Sequence, residues 1–198
     1  APVNPMSVVQ QIGAQAGLMT RKELEETKKI AQQIGAKHLI INTEETNNEN
    51  YLKNPNNRCY YCKSELYTRL KAVSEQLRIK NIVNGTNFDD LGDYRPGLQA
   101  ADEKKIISPL KEAKFTKNDI RELAKHLGLE VWDKPSSPCL SSRVPYGQEI
   151  TMKKLNMIEQ TENLLKDFGI KELRVRHFGN SARIEVNEHD KSIINDNY

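Results

Sequence analysis

Lys37-His-Leu-Ile-Ile-Asn42 is a short apolar run between two helical patterns, and its reading decides the fold class. On its N-terminal side, Thr20 to Gly35 reads as a helix. Thr20 caps it, Glu23 three residues on completes a capping box, and Leu24, Thr27, Ala31 and Ile34 share one face before Gly35 stops it. Residues 37–42 then read as a buried strand. A polar loop, Thr43 to Asn57, leads to a second helix from about Arg58 to Leu77, striped by Leu66, Leu70, Val73 and Leu77. Asn81-Ile-Val-Asn84 follows as a second strand, ending at Gly85. Strands and helices alternating at this spacing predict βαβ units in a parallel sheet. Ligands of such sheets sit beyond the C-terminal strand ends, so the loops after Asn42 and Asn84 are expected to face the site.

Farther along, Thr116 caps a helix reaching Leu127, with Ile120, Leu123 and Leu127 inward and Gly128 as its stop. Between Trp132 and Gly147, Pro135, Pro138, Pro145 and four serines forbid any long element. The expected domain junction lies at its end, giving a first domain of residues 1–147 and a small α+β domain of residues 148–198. The second holds a helix from Thr151 to Phe168, with Leu155, Ile158 and Leu165 inward. A hairpin follows, Leu173 to Phe178 and Ala182 to Val186 about Gly179-Asn180, then a helical piece from His189.

The 198 residues are 37% hydrophobic and 29% charged, a composition for a folded core and not for a disordered chain. A net charge of +3 is too near neutral to announce a nucleic-acid binder, although it suits a small anionic ligand held by local arginines. No apolar run approaches membrane-spanning length, and Ala1 to Gly17 has no signal-peptide pattern, so a cytoplasmic location is expected. Three cysteines, an odd number, argue against a disulfide framework and for ligands or reactive thiols.

Cys59-Tyr-Tyr-Cys62 opens a helix, where two intervening residues let both thiols address one centre and the helix terminus favours thiolate. Cys139 lies in the Pro/Ser loop, at the same expected sheet edge. Such thiols are also compatible with a redox pair, with plain packing cysteines, or with a zinc site completed by one of His38, His126, His177 or His189. Three cysteines on an iron–sulfur cluster would leave one iron open for an exogenous sulfide. Pro138-Cys-Leu-Ser-Ser-Arg143 offers two hydroxyls and an arginine for a phosphate or carboxylate, or else a serine-capped turn. Gly85-Thr-Asn-Phe-Asp-Asp-Leu-Gly-Asp-Tyr-Arg-Pro-Gly97 directly follows a strand and reads as a nucleotide or metal-phosphate loop, against a solvated acidic loop. Within it Gly85, Thr86, Asn87, Asp90, Asp93 and Arg95 are the candidate contacts. By the two-residue period of the hairpin, Arg174, Arg176, Arg183 and Glu185 share one face, either solvated or clamping a substrate phosphate.

At these residues the sequence resembles the LarE family of sulfur transferases, within the PP-loop ATP pyrophosphatase superfamily. The resemblance rests on Arg58-Cys-Tyr-Tyr-Cys-Lys-Ser-Glu-Leu-Tyr67, Gly85 to Gly97, Trp132-Asp-Lys-Pro135, Pro138 to Gly147, Arg174-Val-Arg-His177 and Ala182-Arg-Ile-Glu185, and runs from about Met19 to the C-terminus. It implies an α/β fold: a parallel-sheet PP-loop domain, followed by the small α+β domain. It further implies ATP- and Mg²⁺-dependent adenylation of the carboxylates of pyridinium-3,5-biscarboxylic acid mononucleotide and their conversion to thiocarboxylates, for the nickel-pincer nucleotide cofactor. The three-cysteine pattern resembles members with a 4Fe–4S cluster carrying an extra sulfide from a sulfide source, with Cys59, Cys62 and Cys139 as ligands and Cys139 at the sulfur-site position. Lys63, Ser142, Arg143, Arg174 and Arg176 match substrate-binding positions. Glu162 and Glu185 match acidic positions near a subunit interface, where a divalent ion is expected, and the family assembles as hexamers. The family's Ser-Gly-Gly-x-Asp-Ser phosphate loop is absent from these residues, so the first domain is expected in truncated form. Two further readings are an iron–sulfur-dependent tRNA thiolation enzyme of the same superfamily and a zinc-stabilised binding module.

Overall fold

The computed structural model describes residues 10–15, 21–135, 138–170 and 172–195; Thr20, the expected cap of the first helix, lies outside them. Strand β1 (Gln10–Gln15) runs parallel to β2 (Lys37–Asn42), with Gln10 opposite Lys37 and Gln15 opposite Asn42. Helix α1 (Arg21–Gln33) is the crossover that a parallel pair requires, and Gly35 ends it with φ of +68°. A 3₁₀ turn (Glu45–Asn47), the short α2 (Glu49–Leu52) and the long α3 (Arg58–Gln76) come next. Helices α4 (Pro96–Glu103), α5 (Pro109–Glu112) and α6 (Lys117–His126) then lead into the proline-rich stretch. That stretch forms only a 3₁₀ turn, Leu140–Arg143. Helix α7 (Met152–Asp167) precedes the antiparallel hairpin of β3 (Leu173–Phe178) and β4 (Ser181–Val186), and α8 (Lys191–Asn195) follows. The architecture is mixed α/β.

Several elements differ from the sequence reading. Among the described residues the parallel sheet is only β1 with β2, and β1 itself was not foreseen. The second expected strand, 81–84, is reduced to one parallel bridge between Val83 and Ile107, held by Ile107 N–H to the Ile82 carbonyl at 3.0 Å and Asn84 N–H to the Ile107 carbonyl at 2.9 Å. It pairs with the segment entering α5 and not with β2. Strand β2 is also less buried than its run of Leu and Ile suggests: Ile41 is buried, whereas Leu39 and Ile40 are exposed, because one strand and one helix cover only part of it. On α3 the fully buried positions are Arg58, Tyr67 and Ser74, and Leu77 is exposed. On α6 the capping box of Thr116 with Asp119 is present, but Leu123 and Leu127 face outward.

Three apolar clusters hold these elements. Tyr51, Leu140, Val144, Ile150, Leu155 and Ile158 pack together, with Cys62 against them. Tyr67, Ala100, Ala101 and Ile106 join α3 to α4. Leu165, Ile170, Leu173 and Val175 join α7 to the hairpin. The first cluster gathers α2, the cysteine loop and α7, and therefore fixes where Cys139 lies. Ile158→Ala is expected to cost about 2–5 kcal/mol by chemical denaturation, through lost burial and a residual cavity. Leu127→Ala, at an exposed position, is expected to stay within about 0.5 kcal/mol of the parent; a large loss there would restore the inward reading of α6.

Candidate functional site

Helix α3 is the spine of the site. Cys59 and Cys62 are three residues apart, about 60° round the helix axis, so they look onto adjacent faces. Cys59 and Lys63 line a cavity of about 400 Å³ together with Gly85, Thr86, Asp90 and Arg95 of the loop that follows the Val83 bridge. Cys62 instead packs against the apolar cluster that contains Tyr51, Leu140 and Val144, to which the Cys139 loop contributes. All three cysteines are free thiols, Cys139 exposed and the other two half-buried.

Arg143 shapes the loop that carries Cys139. Its guanidinium is buried and forks onto Glu162 of α7, with Nε to Oε1 at 2.9 Å and Nη2 to Oε2 at 3.3 Å. Its remaining nitrogen, Nη1, donates to the carbonyls of Pro138 and Cys139 and to Ser142 Oγ. Glu162 Oε1 also accepts from the Val175 N–H at 3.0 Å, which locks β3 onto the same pair. With its donors turned inward, Arg143 is a strut for the cysteine loop; the sequence reading had placed it on a substrate anion.

A second set of contacts holds this loop from the side of α2. The Tyr51 hydroxyl and Ser141 Oγ share a buried hydrogen bond of 2.5 Å. Asn54, fully buried with φ of +53°, points its amide at the carbonyls of Val144 (3.2 Å), Pro145 (2.7 Å) and Gln148 (3.1 Å). Arg58, at the start of α3, donates to Asn54 Oδ1 at 2.5 Å and stacks over the Tyr146 ring at 5.1 Å. Residues 51–57, read from sequence as part of a polar loop, are thus, with Arg58 at the start of the helix, the joint between the two cysteine-bearing segments. Asn54-Pro55 was the signal for it, since Asn tolerates the left-handed conformation that such a turn needs.

Burial pushes the Cys62 thiol up to about 12, reinforced by the nearby Glu45 carboxylate and by the other two cysteines, and opposed by Lys63. The terminus of α3 was expected to favour thiolate here; desolvation outweighs it. Burial likewise holds the Tyr51 phenol well above its ordinary range, with Cys139 and Cys62 among the surrounding charges.

The loop from Gly85 to Gly97 is tied down on several sides. Asn87 and Asp90 exchange backbone-to-side-chain bonds, Asn87 N–H to Oδ2 at 3.0 Å and Asp90 N–H to Oδ1 at 3.3 Å. Arg95 bridges Asp90 at 2.9 Å and Asp93 at 3.3 Å. Thr86 accepts from the Lys111 N–H at 3.1 Å. A Cβ on Gly97 would lie 3.0 Å from Lys63 Cγ, so glycine permits α4 to start this close to α3. Asn87 and Asp93 shape the loop without lining the cavity.

On the hairpin, Arg176 lies opposite Arg183 and Arg174 opposite Glu185, as the period-2 reading required. Arg176 donates to Glu185 at 2.7 Å and to the Ser142 carbonyl at 3.3 Å. That bond, with Arg174 and Arg183 adding to it, holds the Glu185 carboxyl below its usual range. Arg183 stacks on Phe178 at 4.9 Å. Arg174, Arg143, Glu162 and Glu185 contribute to the wall of a second, larger cavity of about 680 Å³, which has no cysteine in its lining. The expected substrate residues are thus divided between two cavities, Lys63 on one and Arg174 on the other. Among the described residues, no group of three or more His, Cys, Asp or Glu side chains is arranged to hold a metal ion. Glu162 and Glu185 are each engaged by an arginine.

Two outcomes follow. Glu162→Ala leaves Arg143 buried without its counter-charge and is expected to lose about 3–5 kcal/mol in denaturant melts. Glu185→Ala, at a partly exposed pair, is expected to stay within about 1 kcal/mol. Since the Cys62 value of about 12 lies above the unfolded thiol value of about 8.5, the folded chain holds this proton more tightly. The associated stability is intact below about pH 8.5 and declines as pH rises toward 12. Iodoacetamide should therefore modify Cys62 far more slowly than the exposed Cys139 at pH 8, as followed by peptide mass; equal rates would refute its burial.

The chain is 47% identical over 165 residues to an uncharacterised protein of Synechocystis, covering 83% of this chain and 62% of that one. It is 36% identical over 163 residues to an uncharacterised protein of Methanocaldococcus jannaschii, covering 82% and 64%. No protein-family model matches the chain. It spans just under two thirds of the length of each curated relative it matches here. Over 180 residues, 91% of its own length and 65% of the relative's, it is 33% identical to the pyridinium-3,5-bisthiocarboxylic acid mononucleotide synthase of Lactiplantibacillus plantarum.

Proposed function

We infer that this chain delivers sulfur to a carboxylate of a nucleotide-like substrate, as a sulfur transferase of the kind that makes pyridinium-3,5-bisthiocarboxylic acid mononucleotide. The observation that carries this reading is that Cys59 opens onto the cavity shared with Lys63 and Arg95, while Cys62, on the next face of α3, packs against the apolar cluster to which Leu140, the neighbour of Cys139, belongs. The similarity to a synthase of that name supports the same substrate class.

The donor set suits an iron–sulfur cluster in kind, being three soft thiols with no disulfide between them. As placed, the three side chains are not yet a coordination set, and Cys139 is the exposed one of the three. Cys59, Cys62 and Cys139 would hold a 4Fe–4S cluster, which with three protein ligands leaves one iron open for an extra sulfide.

The protein's own residues have separate tasks. Gly85, Thr86, Asp90 and Arg95 present backbone and charge to the nucleotide, and Lys63 and Cys59 line the same cavity. Arg174, Arg176 and Arg183 offer a cationic face to a substrate phosphate. The substrate carboxylate would attack the α-phosphorus of Mg²⁺-bound ATP and expel pyrophosphate, giving an acyl-adenylate; the incoming sulfide then forms the C–S bond as the C–O bond to AMP breaks, and AMP leaves with the electron pair. Holding the partners in line supplies much of the rate. A hexameric assembly acting in the cytoplasm completes the reading.

The test is anaerobic reconstitution with ferrous iron and sulfide, followed by incubation with ATP, Mg²⁺ and the dicarboxylate mononucleotide. Binding of about four irons per chain is expected, together with a mass gain of sulfur for oxygen in the product. Both should be lost in a Cys139→Ala variant that keeps its melting temperature. Iron near zero in the parent chain, or bound zinc whose removal unfolds it, would contradict the reading.

A further inference from the structure

We propose that Asn54 and Arg58 form a positioning clamp that sets the distance between the Cys139 thiol and the thiols of α3. The two cysteine segments are 77 residues apart, taking Cys62 and Cys139 from the sequence, so their approach depends on contacts that no local preference supplies. Asn54 provides them from a single buried side chain. Its amide nitrogen reaches three carbonyls of residues 144–148, just beyond Cys139, and its carbonyl receives Arg58, which immediately precedes Cys59. The backbone repeats the link: Gly147 N–H donates to the Asn54 carbonyl at 2.9 Å and Ile150 N–H to the Leu52 carbonyl at 2.9 Å. The left-handed conformation of Asn54 turns its amide and its carbonyl toward these partners. The exposed ring of Tyr146, which belongs to the loop that Asn54 grips, stacks on the buried Arg58 guanidinium and completes the arrangement. A core residue chosen for packing alone would need none of this directional bonding. The clamp thus relays the position of one cysteine segment to the other, and neither residue touches a thiol in doing so.

The proposal rests on the three thiols forming one site, and its test separates the two. The full chain is treated with dibromobimane, a short reagent that bridges two neighbouring thiols, and the bridged peptides are identified by mass. The parent is expected to give a bridge between Cys139 and Cys59 or Cys62. Asn54→Asp removes the donor amide with little change in shape, and Arg58→Gln removes the guanidinium. Each is expected to lower the yield of that bridge at least tenfold, while the Cys59–Cys62 bridge and single alkylation of Cys139 persist. Arg58→Lys, which keeps a cationic donor toward Asn54, is expected to recover part of the yield. Variants that melt cooperatively and bridge Cys139 as the parent does would overturn the clamp and leave the sulfur-transfer reading standing. Loss of cooperative melting in all three variants would also overturn it, in favour of a purely structural role. A parent chain with no bridge to Cys139 would remove the common site on which both readings depend.

Discussion

The buried pair of Arg143 and Glu162 is the constraint on which the rest of this structure depends. Taking two charges out of water costs several kcal/mol per ion, and that cost is met only where geometry and extra hydrogen bonds are both good. Here both conditions hold: the guanidinium and carboxylate meet side by side, and each makes further bonds, to the carbonyls before Ser142 and to the Val175 N–H. One ion pair therefore joins three segments, α7, β3 and the loop of Cys139. The apolar cluster of Tyr51, Leu140, Val144, Leu155 and Ile158 closes round the same loop. A proline-rich stretch that cannot form a long element of its own is thereby held in a defined place.

With that loop fixed, α3 separates two environments. Cys59 and Lys63 look into an open cavity beside a polar loop whose shape is set by Asn87, Asp90 and Arg95. Cys62 turns into a desolvated setting where its proton is held tightly. Protonated and sheltered, this thiol is protected from casual oxidation, and it would give up its proton on binding a metal, whose charge offsets the desolvation. The cationic hairpin approaches the cysteine loop through the bond from Arg176 to the Ser142 carbonyl. Arg176 thus links the arginine face to the segment that follows Cys139.

Much of this organisation was legible in the sequence wherever local physics decides it. The hairpin followed from a two-residue alternation and from Gly179, α6 from the cap at Thr116, and α7 from Leu155, Ile158 and Leu165. The loop of Gly85 lines one cavity with Cys59, although the strand expected before it is a single bridge. What escaped was set by tertiary contacts. Residues 81–84 have a strand's composition, yet make a single bridge because their partner is the segment at Ile107. Leu123 and Leu127 fit an inward stripe but face solvent. The tasks of Arg143, Glu162, Asn54 and Arg58 were hidden most completely. A polar residue buried for its hydrogen bonds looks in sequence just like one exposed for binding, and only the partners distinguish them.

The most direct measurement of the central claim is a crystal structure of the anaerobically purified protein. The account predicts electron density for a metal cluster between α3 and the loop of residues 138–143, with the sulfurs of Cys59, Cys62 and Cys139 around it and Arg143 still seated on Glu162. A Cys139 side chain directed away from α3, with no shared centre among the three sulfurs, would contradict it.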